Sequence, residues 1–174
     1  MGYAVLLYFD DEVSAKIGEI RFELKRNEIN IDWGIKPHLI LSVYYNLPIL
    51  EFEKELGLYV KEVKPFEVIF YRIGEFKRDK PAVIFLEPEM TPELLEVHND
   101  YHNYFSKYNQ LAWEYYKPGI WYPHCTLCLN LSEEMYKKAK ELLNDVELPL
   151  KARVEKIGII EFPPHRELIN FNLG

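Results

Sequence analysis

The chain has 174 residues, a length that fits one domain or two small lobes that share a core. Apolar residues make up 48% and charged residues 28%, the profile of a globular protein. The net charge of −7 argues against non-specific binding to nucleic acid, duplex DNA included, because such binding depends on Lys and Arg that neutralise phosphates. It leaves open a single nucleotide or an RNA end held in a locally basic cleft.

The predicted elements alternate between strands and helices. Strands are expected at Tyr3–Phe9, Pro37–Tyr45, Phe66–Ile73, Pro81–Leu86, Tyr122–Leu131, Leu150–Ile160 and Leu168–Leu173. Helices are expected at Asp11–Lys25, with Asp10 or Asp11 as N-cap, and at Ile49–Gly57, with Gly57 ending it. Two more are expected from the N-cap Thr91 to about Tyr108 and after the N-cap Ser132. A turn and a short strand are expected at Asn27–Asp32. This order predicts an α+β chain.

Two cysteines, Cys125 and Cys128, stand three residues apart in a predicted strand. Residues at that spacing on a regular strand point to opposite faces, so a disulfide between them is geometrically poor. A single Cys-x-x-Cys without a second pair argues against a zinc site. No segment approaches the roughly 20 apolar residues of a membrane span, and the run Tyr3–Phe9 lacks the basic leader of a signal peptide. These features predict a reducing, cytoplasmic location and no membrane partner.

Two of the predicted strands begin with the same pair of residues, Pro37-His38 and Pro123-His124. The pairs stand 86 residues apart, about half the chain. Two similar strands at this separation predict two related lobes that face one central cleft. The cleft would then contain one imidazole from each lobe.

A pair of imidazoles in one cleft is suited to acid–base chemistry. The ordinary pKa of histidine is near 6.5, so at neutral pH one ring can act as base while the other holds a proton as acid. Strand periodicity puts Thr126 on the face of His124 and Ser42 on the face of His38, where each hydroxyl could donate to a phosphate. The alternative is that both histidines pack at strand edges and Thr126 is a good strand former.

These residues resemble a known family. The sequence around His124, Pro-His-Cys-Thr-Leu, resembles the His-x-Thr-hydrophobic motif of the two-histidine (2H) phosphoesterase superfamily, and Pro-His-Leu-Ile-Leu around His38 resembles its first copy. That superfamily includes 2′–5′ RNA ligase-like proteins and cyclic nucleotide phosphodiesterases. The resemblance implies one bilobal α+β domain over residues 1–174, with two pseudo-symmetric antiparallel-sheet lobes, helices packed outside and a cleft that uses no metal or other cofactor.

The resemblance also implies an activity and roles for single residues. The reaction would take place on 2′,3′-cyclic phosphates or 2′–5′ bonds of RNA ends or nucleotides, with His38 and His124 as general acid and base and Thr126 holding the phosphate. Ile40 stands where the first motif of the family has Thr or Ser, and it cannot form a hydrogen bond. Ser42 is the candidate substitute. The alternative is a non-catalytic module of the same fold that binds an RNA end or a nucleotide.

Other aromatic and histidine residues suggest further sites. Trp121 and Tyr122 precede the second motif and are candidates for stacking on a nucleobase. His98 and His102 lie four residues apart on a predicted helix, a spacing that suits zinc. No metalloprotease glutamate follows His98 and no third ligand is evident, so a solvated helix face is the expectation for this pair.

Overall fold

The structure is a computed structural model that describes residues 1–32, 34–77 and 81–174. In these residues the strands are β1 (Gly2–Phe9), β2 (His38–Tyr45), β3 (Phe66–Phe76), β4 (Ala82–Pro88), β5 (Cys125–Leu131), β6 (Leu150–Phe162) and β7 (Arg166–Asn172). The helices are α1 (Asp11–Arg26), α2 (Ile49–Tyr59), α3 (Pro92–Tyr104) and α4 (Glu133–Leu143). Short 3₁₀ helices span Val60–Glu62, Ser106–Leu111 and Glu114–Tyr116. The mixed α+β class is as predicted.

Three helices begin where the sequence places an N-cap. The cap side chains accept hydrogen bonds from backbone N–H groups three residues later, at 3.2 Å in each case. The capping residues are Asp10 for α1, Thr91 for α3 and Ser132 for α4.

Among the described helices, none combines the length and apolar character needed to cross a membrane.

The long strand β6 joins the two halves of the antiparallel sheet. On one edge of β6, residues 154–162 pair with β1. On its other edge, residues 150–154 pair with β3 and residues 156–161 with β7. The strand order is β2-β1-β6-β3-β4-β5, so the lobes expected from the sequence are two halves of one continuous sheet. The first half contains β1, α1, β2 and α2, and the second contains β3, β4, α3, β5 and α4.

Both histidine motifs lie at the edge strands, β2 and β5, and these strands carry the same irregularity. The register shifts at a β-bulge that falls at Leu41 in β2 and at Leu127 in β5, three residues after the histidine in each case. An asparagine in left-handed conformation stands near the end of each strand. Asn46, with φ 53°, follows β2 directly, and Asn130, with φ 54°, is the next-to-last residue of β5. The two halves therefore repeat in backbone geometry as well as in sequence.

The two faces of the sheet differ in what covers them. The alternate residues Val5 and Leu7 of β1 face the main core, into which the four helices also pack. Leu6 and Tyr8 face the other way, into a smaller apolar cluster. His38 pairs with Tyr8 across the β1–β2 ladder and shares its face. We call this side the histidine face.

The bulge in β5 also determines where the cysteines lie. Cys125 and Cys128 are both fully buried in the main core and both are free thiols. The prediction that they point to opposite faces is wrong, because the extra residue at Leu127 restores the same orientation three positions later.

Several predicted bounds differ from those of the structure, and three differences concern the helices α2 and α3 and the segment after α1. Helix α2 continues past Gly57 to Tyr59. A Cβ at position 57 would stand 3.2 Å from the ring of Phe171, so this glycine allows a close approach and does not end the helix. Residues 27–32 form a turn and coil without a strand. Helix α3 ends at Tyr104 and gives way to a 3₁₀ helix.

Candidate active site

His38 is the first residue of β2, and the backbone immediately before it fixes its ring. Nδ1 lies 2.7 Å from the carbonyl oxygen of Lys36, two residues earlier. The ring also contacts Tyr8 edge-on, with centroids 6.4 Å apart. The side chain is largely buried, with 6% of the residue exposed.

His124 directly precedes β5 and repeats this geometry. Its Nδ1 lies 2.9 Å from the carbonyl oxygen of Tyr122, again two residues earlier. Phe76 and Phe85 pack against the ring, each with a centroid distance of 5.1 Å. His124 is half-buried and more accessible than His38.

These contacts determine which ring nitrogen is available for chemistry. A carbonyl oxygen only accepts, so Nδ1 carries the hydrogen in both rings, and the neutral imidazole has its lone pair on Nε2. Among the described residues, no group bonds Nε2 of His38 or of His124. Some side-chain nitrogen and oxygen atoms of the described residues are both buried and without a partner, but neither Nε2 is one of them. Both Nε2 atoms are therefore accessible to solvent. Both halves thus present the same nitrogen for proton transfer.

The environment keeps both rings neutral in the ligand-free protein. Burial lowers the pKa of His38 and that of His124 to about 4. For His38, the positive charges of Arg21 and of protonated His124 lower the pKa further, while the Lys36 carbonyl and Asp32 oppose them. The effect of His124 on His38 means that the two rings lie within range of each other's charge. One protonated ring at neutral pH, as expected from the ordinary pKa, is therefore not the resting state.

Thr126 lies beside His124 on the same face. It pairs with Phe85, whose ring contacts His124, and it is partly exposed. In the first half, Ile40 takes the equivalent position and is also partly exposed. The hydroxyl that the second half offers is thus replaced by an alkyl group in the first half.

Ser42 does not compensate for Ile40, and the expectation that it lies on the face of His38 is wrong. The bulge at Leu41 shifts the register, so that Ser42 pairs with Val5, a residue of the main core. Paired residues on neighbouring strands share a face, so the side chain of Ser42 points away from the histidine face. It is fully buried, with 0% of the residue exposed.

Trp121 and Tyr122 have different environments. Trp121 is buried and its ring stacks on His98, with a centroid distance of 3.7 Å and planes 4° apart. Its indole Nε1 donates to the carbonyl of Ile40 at 2.9 Å. One face of the Trp121 ring is covered by His98, so Trp121 offers less surface to a nucleobase than Tyr122 does. Tyr122 is 48% exposed and remains a candidate.

A buried carboxylate, which the sequence analysis did not single out, holds Tyr122 in place. Glu87 accepts from the hydroxyls of Tyr71, at 2.6 Å, and of Tyr122, and it forms a two-point ion pair with Arg72. Its four lone pairs are used by these four contacts. Beside it lies a pocket of about 350 Å³ with mostly apolar walls, lined by Tyr71, Arg72, Glu87, Pro88, Glu89, Met90, Trp121, Tyr122 and Pro123.

Arg21 is the second residue that the sequence analysis did not single out. It lies on α1 and only 5% of it is exposed. Its guanidinium donates to the carbonyl oxygens of Ile35 and Thr126. The spacing from Ile17 to Arg21 and on to Leu24 places it on the apolar stripe of the helix, and a charge on such a stripe is the signal that could have revealed it.

His98 and His102 are buried, so the expectation of a solvated helix face is wrong. They are 1% and 3% exposed. Nε2 of His98 bonds the carbonyl of Tyr116 at 2.9 Å, and Nε2 of His102 bonds that of Leu41 at 3.1 Å. Each ring thus satisfies a backbone carbonyl. In the described ranges, no cluster of three or more His, Cys, Asp or Glu is arranged to hold a metal ion.

Comparison with known families identifies the family to which the chain belongs. The family described as the 2′-5′ RNA ligase superfamily matches residues 9–165. A comparison with curated protein sequences finds no match.

Solved structures share the fold over almost the whole chain. TT0787 of Thermus thermophilus has a TM-score of 0.68 at 16% identity, covering 99% of this chain and 98% of that one. E. coli LigT complexed with 3′-AMP has a TM-score of 0.62 at 16% identity, covering 98% and 96%. E. coli LigT complexed with phosphate has a TM-score of 0.60 at 16% identity, covering 98% and 96%. Because the family match spans most of the sequence, the chain belongs to the 2′-5′ RNA ligase superfamily of 2H phosphoesterases.

Proposed function

We propose that this chain is a metal-independent phosphoesterase that acts on 2′,3′-cyclic phosphate or 2′–5′ phosphodiester bonds of RNA ends or nucleotides. Membership of the superfamily supports a general phosphoesterase role. The observation that carries the proposed reaction on cyclic phosphates or 2′–5′ bonds is the repeated geometry of His38 and His124. Each Nδ1 is bonded to the carbonyl two residues earlier, and each Nε2 is left without a protein partner among the described residues.

The proposed reaction on a cyclic phosphate is an acid–base hydrolysis. Nε2 of one histidine takes a proton from water, and the water oxygen forms a bond to phosphorus. The bond between phosphorus and one ribose oxygen breaks, and Nε2–H of the other histidine gives its proton to that oxygen. The rings have then exchanged roles, and proton exchange with solvent resets them. Each such proton transfer typically contributes about 10²–10⁴-fold to the rate.

The substrate itself supplies the conditions for the acid. Both imidazoles are neutral when no ligand is bound, since burial lowers each pKa to about 4. A phosphate anion between the rings favours the protonated form of one of them, because a nearby opposite charge raises the pKa of a histidine. Binding and activation are therefore linked in this proposal.

Thr126 is the proposed phosphate-binding residue. Its position two residues after His124, across from Phe85, directs its hydroxyl to the face where the ring lies. A donor placed there stabilises the negative charge that develops on the phosphoryl oxygens. Ile40 offers no such donor, so the phosphate would be held from one side.

Tyr122 is the proposed stacking partner for a nucleobase. Its ring is half-exposed, stands two residues from His124 and forms a wall of the 350 Å³ pocket. Stacking of a base on an aromatic ring is worth about 1–3 kcal/mol. Structures of E. coli LigT complexed with 3′-AMP, NADP+ and ATP support a nucleotide as the ligand here.

The test is turnover of a 2′,3′-cyclic nucleotide, and of RNA that ends in a cyclic phosphate, with a chelator present. We expect the wild type to turn over at least one of them, and His38→Gln and His124→Gln to lose at least about 100-fold in kcat. His165→Gln is the matched control, because His165 is exposed in the turn before β7. Its activity should equal that of the wild type.

The missing hydroxyl at Ile40 favours one second candidate function. A first motif that cannot bond a phosphate oxygen suits a module that binds an RNA end or a nucleotide without turning it over. Binding of these ligands by the wild type without turnover would support the module. If neither binding nor turnover is found, both proposals are wrong.

A further inference from the structure

The strand that follows His124 is held by a residue of the first half. Arg21, on α1, donates from Nη2 and Nε to the carbonyl oxygen of Thr126, at 2.7 and 3.2 Å. Its Nη1 donates to the carbonyl oxygen of Ile35, at 2.7 Å. One buried guanidinium therefore ties β5 to the segment that leads into His38.

The strand that begins with His38 is held in return by residues of the second half. Nε1 of Trp121 donates to the carbonyl oxygen of Ile40, at 2.9 Å, and Nε2 of His102 bonds that of Leu41, at 3.1 Å. The stacked ring of His98 fixes the plane of Trp121. Thus the side chains that hold β2 come from α3 and from the loop that leads into β5.

The carbonyls that accept the bonds from Trp121 and Arg21 are equivalent under the repeat. Ile40 and Thr126 each stand two residues after a histidine and directly before a bulge. Each carbonyl is bonded by a side chain from the opposite half, Trp121 in one case and Arg21 in the other. The bonds cross between the halves in both directions.

The edge position of both strands explains the need for these donors. In the described sheet β2 and β5 each pair with one strand, so most carbonyls on their outer edges have no strand to bond; that of Val43 accepts from the backbone N–H of Trp113. A buried carbonyl without a donor is costly, and side chains of the opposite half are placed to bond it. The planar fork of an arginine bonds two carbonyls in a fixed geometry, which an ammonium group cannot do.

We propose that Arg21 and Trp121 are positioning residues that fix the two histidine strands relative to each other, each by bonding the carbonyl before the bulge in the opposite half. Neither side chain touches the reacting atoms. Their effect on catalysis rests on the proposed function, because a fixed distance between two imidazoles matters when both act on one phosphate. A misplacement of about 1 Å can cost roughly 10²-fold in rate.

The test uses conservative variants with matched controls. Arg21→Lys keeps the charge and loses the fork, and Trp121→Phe keeps the aromatic stack and loses the N–H. The controls are Arg26→Lys, at an exposed arginine of the same helix that pairs with Glu23, and Trp113→Phe, at an indole whose Nε1 has no partner in the described structure. We expect kcat to fall about 10- to 100-fold in the first two variants, with a smaller change in KM, and to stay within about twofold in the controls.

A second measurement does not depend on turnover. Amide hydrogen exchange should become faster in both β2 and β5 of Arg21→Lys and of Trp121→Phe, and remain at the wild-type rate in the controls. If the wild type fails to turn over any cyclic phosphate, the proposed function is wrong, and the exchange rates still decide the positioning role. Exchange in both variants that matches the controls would overturn it. Faster exchange with unchanged kcat in an active enzyme would also overturn it.

Discussion

Ile40 and Thr126 occupy the same position in the two halves of the sheet, yet only Thr126 carries a hydroxyl. Both follow their histidine by two residues and both precede a bulge. Their backbone carbonyls are held in the same way, by side chains from the opposite half. The repeat is thus kept in the backbone and lost in one side chain, and this asymmetry can be tested directly.

Replacing Ile40 by Thr should increase activity. The new hydroxyl would lie on the histidine face and donate to the phosphate from the first half. A hydrogen bond to a charged group contributes about 1.5–3 kcal/mol, so kcat/KM should rise roughly 10-fold or more. Ile40→Val has the same branched shape without a hydroxyl and is the control. Equal kcat/KM in the Thr and Val variants would show that the position does not contact the phosphate.

The two hydroxyl residues of the motifs, Thr126 and Ser42, should differ in how much activity depends on their hydroxyl. Thr126→Val should lower kcat/KM roughly 10- to 100-fold because it removes the donor to the phosphate, and Thr126→Ser should keep most of the activity. Ser42→Ala should leave turnover unchanged, since the bulge turns Ser42 into the main core. Steady-state kinetics of the three variants measure this. A large loss in Ser42→Ala would contradict the placement of that side chain.

Tyr122 should affect the affinity for nucleotides without affecting the affinity for phosphate. Tyr122→Ala removes the ring on which a base would stack, so the Kd for a nucleoside monophosphate should rise roughly 5- to 100-fold. The Kd for inorganic phosphate should stay constant, because the histidines and Thr126 remain. Calorimetric titration with both ligands checks this. An equal loss for the two ligands would place the effect of Tyr122 on the phosphate and not on the base.

The buried histidines make stability depend on pH in a defined window. The pKa values of His38, His98 and His124 are lowered to about 4 in the folded protein, mainly by burial, against an ordinary value near 6.5. Between these values the unfolded chain binds more protons, so the free energy of unfolding rises with pH up to about 6.5 and falls on acidification. Each histidine adds up to about 1.4 kcal/mol per pH unit.

Urea unfolding at intervals from pH 5 to 7.5 measures this dependence. Because the His124→Gln variant lacks the imidazole that binds one proton on unfolding, it should reduce the slope of the free energy of unfolding below pH 6.5 by up to about 1.4 kcal/mol per pH unit. A free energy of unfolding that is level down to pH 5 would mean that these rings titrate normally.

The sequence was sufficient for the overall arrangement, because that arrangement follows from local patterns. Alternating apolar residues predicted the strands, and three polar caps predicted helix starts that the hydrogen bonds confirm. The repeated Pro-His pair predicted related halves, and the matching bulges and left-handed asparagines are consistent with this prediction.

The errors arise where tertiary context changes a local rule. A bulge adds one residue to each edge strand, so simple alternation misplaced Ser42 and the cysteines. Partners distant in sequence bury Trp121 and His98, and no local pattern identifies such partners. Arg21 differs from these, because its place on the apolar stripe of α1 was visible in the sequence.

The central claim is that His38 and His124 share one anion, and a crystal structure with bound phosphate or a nucleoside monophosphate tests it most directly. We predict that the phosphorus lies between the two rings, with an oxygen within about 2.7–3.2 Å of each Nε2 and another near the Thr126 hydroxyl. A phosphate that contacts one imidazole alone, or that binds elsewhere while both Nε2 atoms stay unoccupied, would contradict it.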